Sequence, residues 1–213
     1  MKNFVKLGKE YFEKMCPNDF HVFNGLNYQL KNGIFAIRMR KGWTQDEFAS
    51  LLQEEPSHVH RLEGGAGRVY SIQTFEKAFH TLGVSFEQME DMITLPSAEN
   101  QEHDFPHASP TSIRSEWDKQ YGSSEHEVRG FNKSLSQLIF ILRVQKGWSQ
   151  VELAEHLEME PSMISHVESG ISDTAIKEFE RILLALDVSY KDMTHMVSYD
   201  FLPEPSVEEE EEE

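Results

Sequence analysis

Residues Trp148 to Gly170 read WSQVELAEHLEMEPSMISHVESG. Ser149-Gln150-Val151-Glu152 has the form of a capping box. The Ser oxygen takes the amide of the third helical residue, and the Glu carboxylate reaches back to the Ser amide. The helix it opens is expected to run to about Leu157. Pro161 suits the first turn of a following helix, where its missing N–H costs nothing. That second helix is expected to run to Ser169 and to close at Gly170, since glycine favours the position just past a helix end. The stretch therefore reads as two short helices joined by a tight turn.

The same pattern occurs earlier in the chain. Trp43 to Gly65 reads WTQDEFASLLQEEPSHVHRLEGG, offset by 105 positions. At that offset Leu30 meets Leu135, Arg38 meets Arg143, Ala49 meets Ala154 and Glu63 meets Glu168. One extra residue in the first copy then makes the offset 104, and Phe75-Glu76 meets Phe179-Glu180. The simplest account is a tandem duplication of a unit of roughly 85 residues. In copy one, Asn27 is expected to cap a helix to about Arg40 that places Leu30, Ile34 and Ile37 on one face. Gly42 ends it. Two further helices fit Ile72–Leu82 and Ser85–Ile93. Copy two repeats them at Asn132–Gln145, Ala175–Leu186 and Ser189–Val197. Strand patterning is absent. The expected fold class is all-α: two five-helix domains, with an extra N-terminal helix and a disordered acidic tail. The boundaries follow: 1–24 an N-terminal helical extension, 25–94 the first domain, 95–111 a linker, 112–129 a pre-helix, 130–198 the second domain, 199–213 the tail. A linker of about 17 residues could extend at most roughly 60 Å.

The chain has 213 residues and a net charge of −17, and its last six residues are all glutamate. A run of like charges is solvated rather than folded. No apolar run approaches the ~18 residues of a membrane span, so no membrane association is expected. The N-terminal stretch lacks the continuous apolar core of a secretion signal. Cys16, the one cysteine, cannot form an internal disulfide, which fits a reducing cytoplasm. His103 and His107 flank Asp104, but Pro106 disfavours the helix that would bring them together, and no metal site is expected. With no Gly-rich phosphate loop, no His-Glu-x-x-His and no nucleophile motif, neither a cofactor nor an enzymatic activity is expected.

The caps, the small Ala, the apolar spacing and the terminal Glu-x-Gly together resemble the Cro/C1-type (XRE-like) helix-turn-helix family, and they do so twice. The resemblance covers about 60 residues of each copy and implies two lambda-repressor-like domains. It implies that Arg38–Glu63 and Arg143–Glu168 are structural ion pairs. It also implies a DNA-binding transcriptional regulator whose third helix enters the major groove. Carried over residue by residue, Thr44 and Gln45 would hold phosphate, Ser57, His58 and Arg61 would face bases, and Arg40, Lys41 and Arg68 would add phosphate contacts. In copy two the equivalents are Ser149 and Gln150, then Ser162, Met163 and His166. Arg61 is the strongest candidate for a guanine, whose O6 and N7 a guanidinium contacts together.

The charge runs the other way. Ser134–Met196 holds five basic and ten acidic residues, Ile34–Ile93 six and nine, and Ser149–Ile176 has no Lys or Arg. DNA affinity rests largely on neutralised phosphates. The recognition helices are also preceded by Glu55 and Glu160, each expected to cap its helix well. The partner expected first is double-stranded DNA. The alternative is a protein-interaction or DNA-mimicking module that keeps the fold, and a homodimer or protein contact through the second domain is a further expectation.

Overall fold

The computed structural model describes residues 25–64, 70–94, 110–122, 128–171 and 173–200. The N-terminal extension, Cys16, Arg68, His103, His107 and the glutamate run lie outside the described residues. Eleven helices are described, and no strand among them: α1 Leu26–Arg40, α2 Gln45–Leu52, α3 Pro56–Glu63, α4 Ile72–Thr81, α5 Phe86–Met92, α6 Pro110–Tyr121, α7 Gly130–Gln145, α8 Gln150–His156, α9 Pro161–Ser169, α10 Ile176–Ala185 and α11 Tyr190–His195.

Local chemistry sets most of these ends. Thr44, Ser85, Ser149 and Ser189 each form a complete capping box. Pro56 and Pro161 occupy first turns. Gly42 and Gly147, at φ 69° and 73°, turn the chain out of α1 and α7 in the left-handed region that glycine enters without a Cβ penalty.

Four expectations need correction. Asn27 does not cap α1. The helix begins one residue earlier, and the Asn27 amide donates to Glu180 Oε1 at 2.9 Å. Asn132 likewise lies inside α7, and its amide donates to Glu76 Oε1 at 2.9 Å. In both cases a carboxylate from the other half of the chain replaces the local cap. Second, Glu55 and Glu160 make no side-chain capping bond. Third, Tyr199, assigned to the acidic tail, is part of the packed structure. Its hydroxyl donates to the Gln29 carbonyl at 2.7 Å and its ring stacks on Phe79 at 6.5 Å. Gly33 makes room for it, since a Cβ there would collide with the Tyr199 hydroxyl. In addition, α6 begins at Pro110, inside the stretch read as linker.

The two halves share one core. A single cluster of buried apolar residues runs from Leu26, Leu30 and Ile34 through Phe75 and Phe79 to Phe131, Leu135, Phe179 and Val197. Phe79 meets Phe131 edge-on at 5.1 Å. Helices α4 and α5 of the first half pack on α7 of the second, and α10 and α11 pack on α1. This is why α1 and α7 are buried on nearly every side, including Gln29, Lys31, Asn32 and Gln137. A helix covered all round is an interior helix. A smaller cluster, Trp117 with Phe140 and Ile141, fastens α6 to the outer face of α7.

Candidate nucleic-acid interface

Each half builds the same internal brace. Arg38 grips both Glu63 oxygens (Nη2 to Oε2 at 2.9 Å) and donates through Nη1 to the Trp43 carbonyl at 2.5 Å. Arg143 does the same with Glu168 (2.9 Å) and the Trp148 carbonyl (2.6 Å). All four charged side chains are buried. A forked guanidinium–carboxylate pair fixes orientation as well as distance. Here it sets the angle between the first helix of each half, the turn before the second, and the third. Ala49 and Ala154, 1% and 0% exposed, leave room for the close crossing of α2 with α3 and of α8 with α9.

Gln45 and Gln150 belong to this brace. Gln45 Nε2 donates to Glu63 Oε2 at 2.8 Å, and Gln150 Nε2 donates to Glu168 Oε2 at 2.7 Å. Gln150 also donates to the Tyr121 hydroxyl of α6 at 3.0 Å. Both of its side-chain N–H groups are thus committed. Among the described residues Gln45 Nε2 makes one such bond.

Thr44 and Ser149 are exposed, but the capping boxes engage their donors. The Thr44 amide and hydroxyl both donate to Glu47 Oε2, at 2.7 and 2.8 Å. The Ser149 amide donates to Glu152 Oε2 at 2.7 Å. The bonds from the Thr44 and Ser149 backbones and hydroxyls hold the Glu47 and Glu152 carboxyls below the usual carboxylate range. A phosphate approaching either helix start therefore meets a fixed negative charge.

On the third helices, Ser57, Ser162, Met163 and His166 are all exposed. His58, the counterpart of Met163, is half-buried. It lies 3.6 Å from Glu54 and 5.5 Å from the Tyr70 ring. Arg61 is half-buried too, and its Nε has no hydrogen-bond partner among the described residues. His60, which the sequence pattern did not single out, is on the outside of α3. Only the position of Tyr70 relative to α3 reveals that His58 turns inward.

The lysines after the first helices differ as well. Lys41 lies over the Trp43 ring at 5.1 Å and is exposed, while Arg40 beside it is half-buried. Lys146 lies over Trp148 at 4.3 Å but is paired with Asp187 Oδ2 at 2.6 Å. The position matching Asp187 in the first half is Gly83.

Residues 139–192 match the helix-turn-helix family HTH_3. The match runs from the middle of α7 to the first turn of α11, so the brace, the capping box and α9 of the second half all fall inside it. It carries with it a DNA-binding regulatory role for this helix-turn-helix segment. No curated protein and no solved structure matches the chain significantly. Among the described residues no group of side chains is arranged to hold a metal ion, and no helix is long and apolar enough to cross a membrane.

Proposed function

We propose that the protein is a sequence-specific double-stranded DNA-binding transcriptional regulator, a repressor, and that both halves are helix-turn-helix units. The observation that carries this reading is the doubled brace. Arg38–Glu63–Gln45 and Arg143–Glu168–Gln150 hold three helices in one arrangement on each side, and the second arrangement lies within the helix-turn-helix match. In that arrangement α3 and α9 are the helices that enter the major groove. Arg61 reads a guanine, Ser57 and His60 flank it, and Lys41 neutralises a phosphate. Ser162, Met163 and His166 read on the second side, with Met163 against a thymine methyl group.

The test is selection from a pool of randomised duplex DNA at two salt concentrations, with Arg61→Ala and His166→Ala beside the natural chain. A defined site is expected, weaker at high salt. Arg61→Ala is expected to cost about 1–3 kcal/mol and to relax one base position.

A second reading has an observation of its own. Val151, Met163 and Ile171 are about half exposed on the second half, where Ser149–Ile176 carries no Lys or Arg. Such a surface suits a protein partner. Failure to enrich any DNA site at low salt, together with binding to a protein that Met163→Ser abolishes, would favour it.

A further inference from the structure

We infer that a single chain, without a second copy, fills an operator of two unlike half-sites set in inverted orientation at one fixed spacing. The inference rests on the DNA-binding reading above and adds what a tethered pair of readers would not impose.

The contacts between the halves are reciprocal. The Ile72 amide donates to the Thr174 carbonyl at 3.0 Å, and the Ile176 amide to the Tyr70 carbonyl at 2.9 Å. The Thr94 amide donates to the Met196 carbonyl at 2.8 Å, and the Ser198 amide to the Met92 carbonyl at 2.9 Å. Asn27 to Glu180 is answered by Asn132 to Glu76. Each bond maps onto its partner when the halves are exchanged at the 104–105 offset of the repeat. Residue i touching j while j touches i is the mark of a two-fold, isologous interface. Here it lies within one chain.

The position of the axis follows. Ser71 bridges Ala175 and Ile93 bridges Val197, both antiparallel, and each pair joins equivalent residues. A two-fold axis passes through the middle of any such pair, so the two bridges define its line. Helix α3 lies beside the Ser71–Ala175 end of that line, since its His58 stands 5.5 Å from the ring of Tyr70, the residue before Ser71. On the α9 side the approach is direct. The Gln73 amide of α4 faces Asp173 Oδ1 at 3.4 Å, and Gln73 and Glu76 line one cavity with Gly170 and Ile171. Both recognition helices thus belong to one end of the molecule and are related by the axis.

Two readers related by a two-fold axis meet the duplex in opposite senses, so their half-sites are inverted repeats. The shared core fixes this, because turning one half to read a direct repeat would separate Phe79 from Phe131 and both Glu caps from their helices. The halves of the site are unlike because Arg61 stands on one side where His166 stands on the other. The surface through which a second chain would supply a symmetry mate is already filled by the other half. The acidic second unit then has a role within its means. Held at an effective concentration in the mM range by the first, a weak reader still contributes.

The test uses the full chain and the site recovered by selection, in three duplexes: as recovered, with one half reversed, and with five base pairs inserted between the halves. Stoichiometry is read by native mass spectrometry and affinity by fluorescence anisotropy. The expected result is one chain per duplex, with affinity falling roughly 100-fold or more in both altered duplexes. Two chains per duplex, equal affinity for the reversed half, or a recovered site with a single half would overturn the inference while leaving DNA recognition intact. Equal binding to all duplexes, including unrelated sequence, would remove both.

Discussion

The two halves of this chain agree inside and differ outside. Inside, the Arg–Glu–Gln brace, the small Ala at the crossing and the Ser or Thr capping box match to within a few tenths of an ångström in their hydrogen bonds. Outside, Lys41 faces Gly83 where Lys146 faces Asp187, and Gln45 keeps a donor where Gln150 has given its second to Tyr121. His58 is drawn under Tyr70, whereas Met163 stands clear because Thr174, the counterpart of Tyr70, is too small to reach over it. The brace is buried, so removing either charge strands the other without water. The outer faces of α3 and α9 are solvated, and exchanges there cost the fold little. Among the described residues the first half thus leaves Lys41 without an ion pair and one Gln45 side-chain N–H without a partner, whereas in the second both equivalents are engaged from within.

Breaking the brace should have the largest effect, and the same effect in both halves. Arg38→Met leaves Glu63 as an uncompensated buried charge, and Arg143→Met leaves Glu168. Each is expected to lose about 3–5 kcal/mol of stability, measured by urea unfolding followed by tryptophan fluorescence. Because the halves share a core, each variant should unfold in one transition. Two separated transitions would show that the halves fold independently and would remove the common core as the reason for their fixed relation.

The inter-half caps come next. Burial pushes the Glu76 carboxyl from its ordinary 4.5 up to about 7, although the Asn132 and Phe131 amides pull it down. Burial raises Glu180 in the same direction. The folded state therefore holds the Glu76 proton more tightly than the unfolded chain does. Its contribution to stability is complete below pH 4.5 and is lost as the pH climbs to about 7. Glu76→Gln keeps the acceptor for the Asn132 amide and cannot ionise. Over that window the natural chain is expected to lose on the order of 1–3 kcal/mol more than the variant. Urea midpoints at about pH 4.5 and about pH 7.5 measure the difference, and parallel losses would show that Glu76 does not titrate in this range.

The smallest effect should be the sharpest test of the comparison. Gly83→Asp places in the first half the carboxylate that Asp187 supplies in the second. Gly83 has φ 82° and Asp187 itself sits at φ 64°, a region aspartate tolerates better than most residues. Pairing Lys41 in this way is expected to lower the salt dependence of DNA binding by about one counterion and to weaken binding a few-fold at low salt. Fluorescence anisotropy across a salt series reads both. An unchanged slope would place Lys41 off the DNA.

Much of the fold was legible because its signals are local. A capping box needs four consecutive residues, a proline marks a first turn by its own ring, and a glycine ends a helix by its own φ. Arg38 with Glu63 and Arg143 with Glu168 were legible from the family resemblance. The failures share a physical cause. Asn27 and Asn132 have the chemistry of caps, yet carboxylates far along the chain displaced them, since a Glu brought by tertiary packing satisfies the same amide. Tyr199 sat in a stretch that reads as an acidic tail, and only the space above Gly33 shows that it is covered. The contact of Gln150 with Tyr121 was equally out of reach of the sequence, because α6 delivers that hydroxyl from 29 positions away.

Two similar all-helical stretches, most of their helix ends and the side chains carried by α3 and α9 were legible in the sequence alone. These depend on residues within a turn or two of one another. How the two stretches stand against each other is set by packing between residues far apart in the chain. The linker composition allowed any orientation, but a chain that buries Phe79 against Phe131 and caps each first helix with the other half's glutamate has one low-energy arrangement. That arrangement is two-fold because residues 104–105 positions apart contact each other in reciprocal pairs.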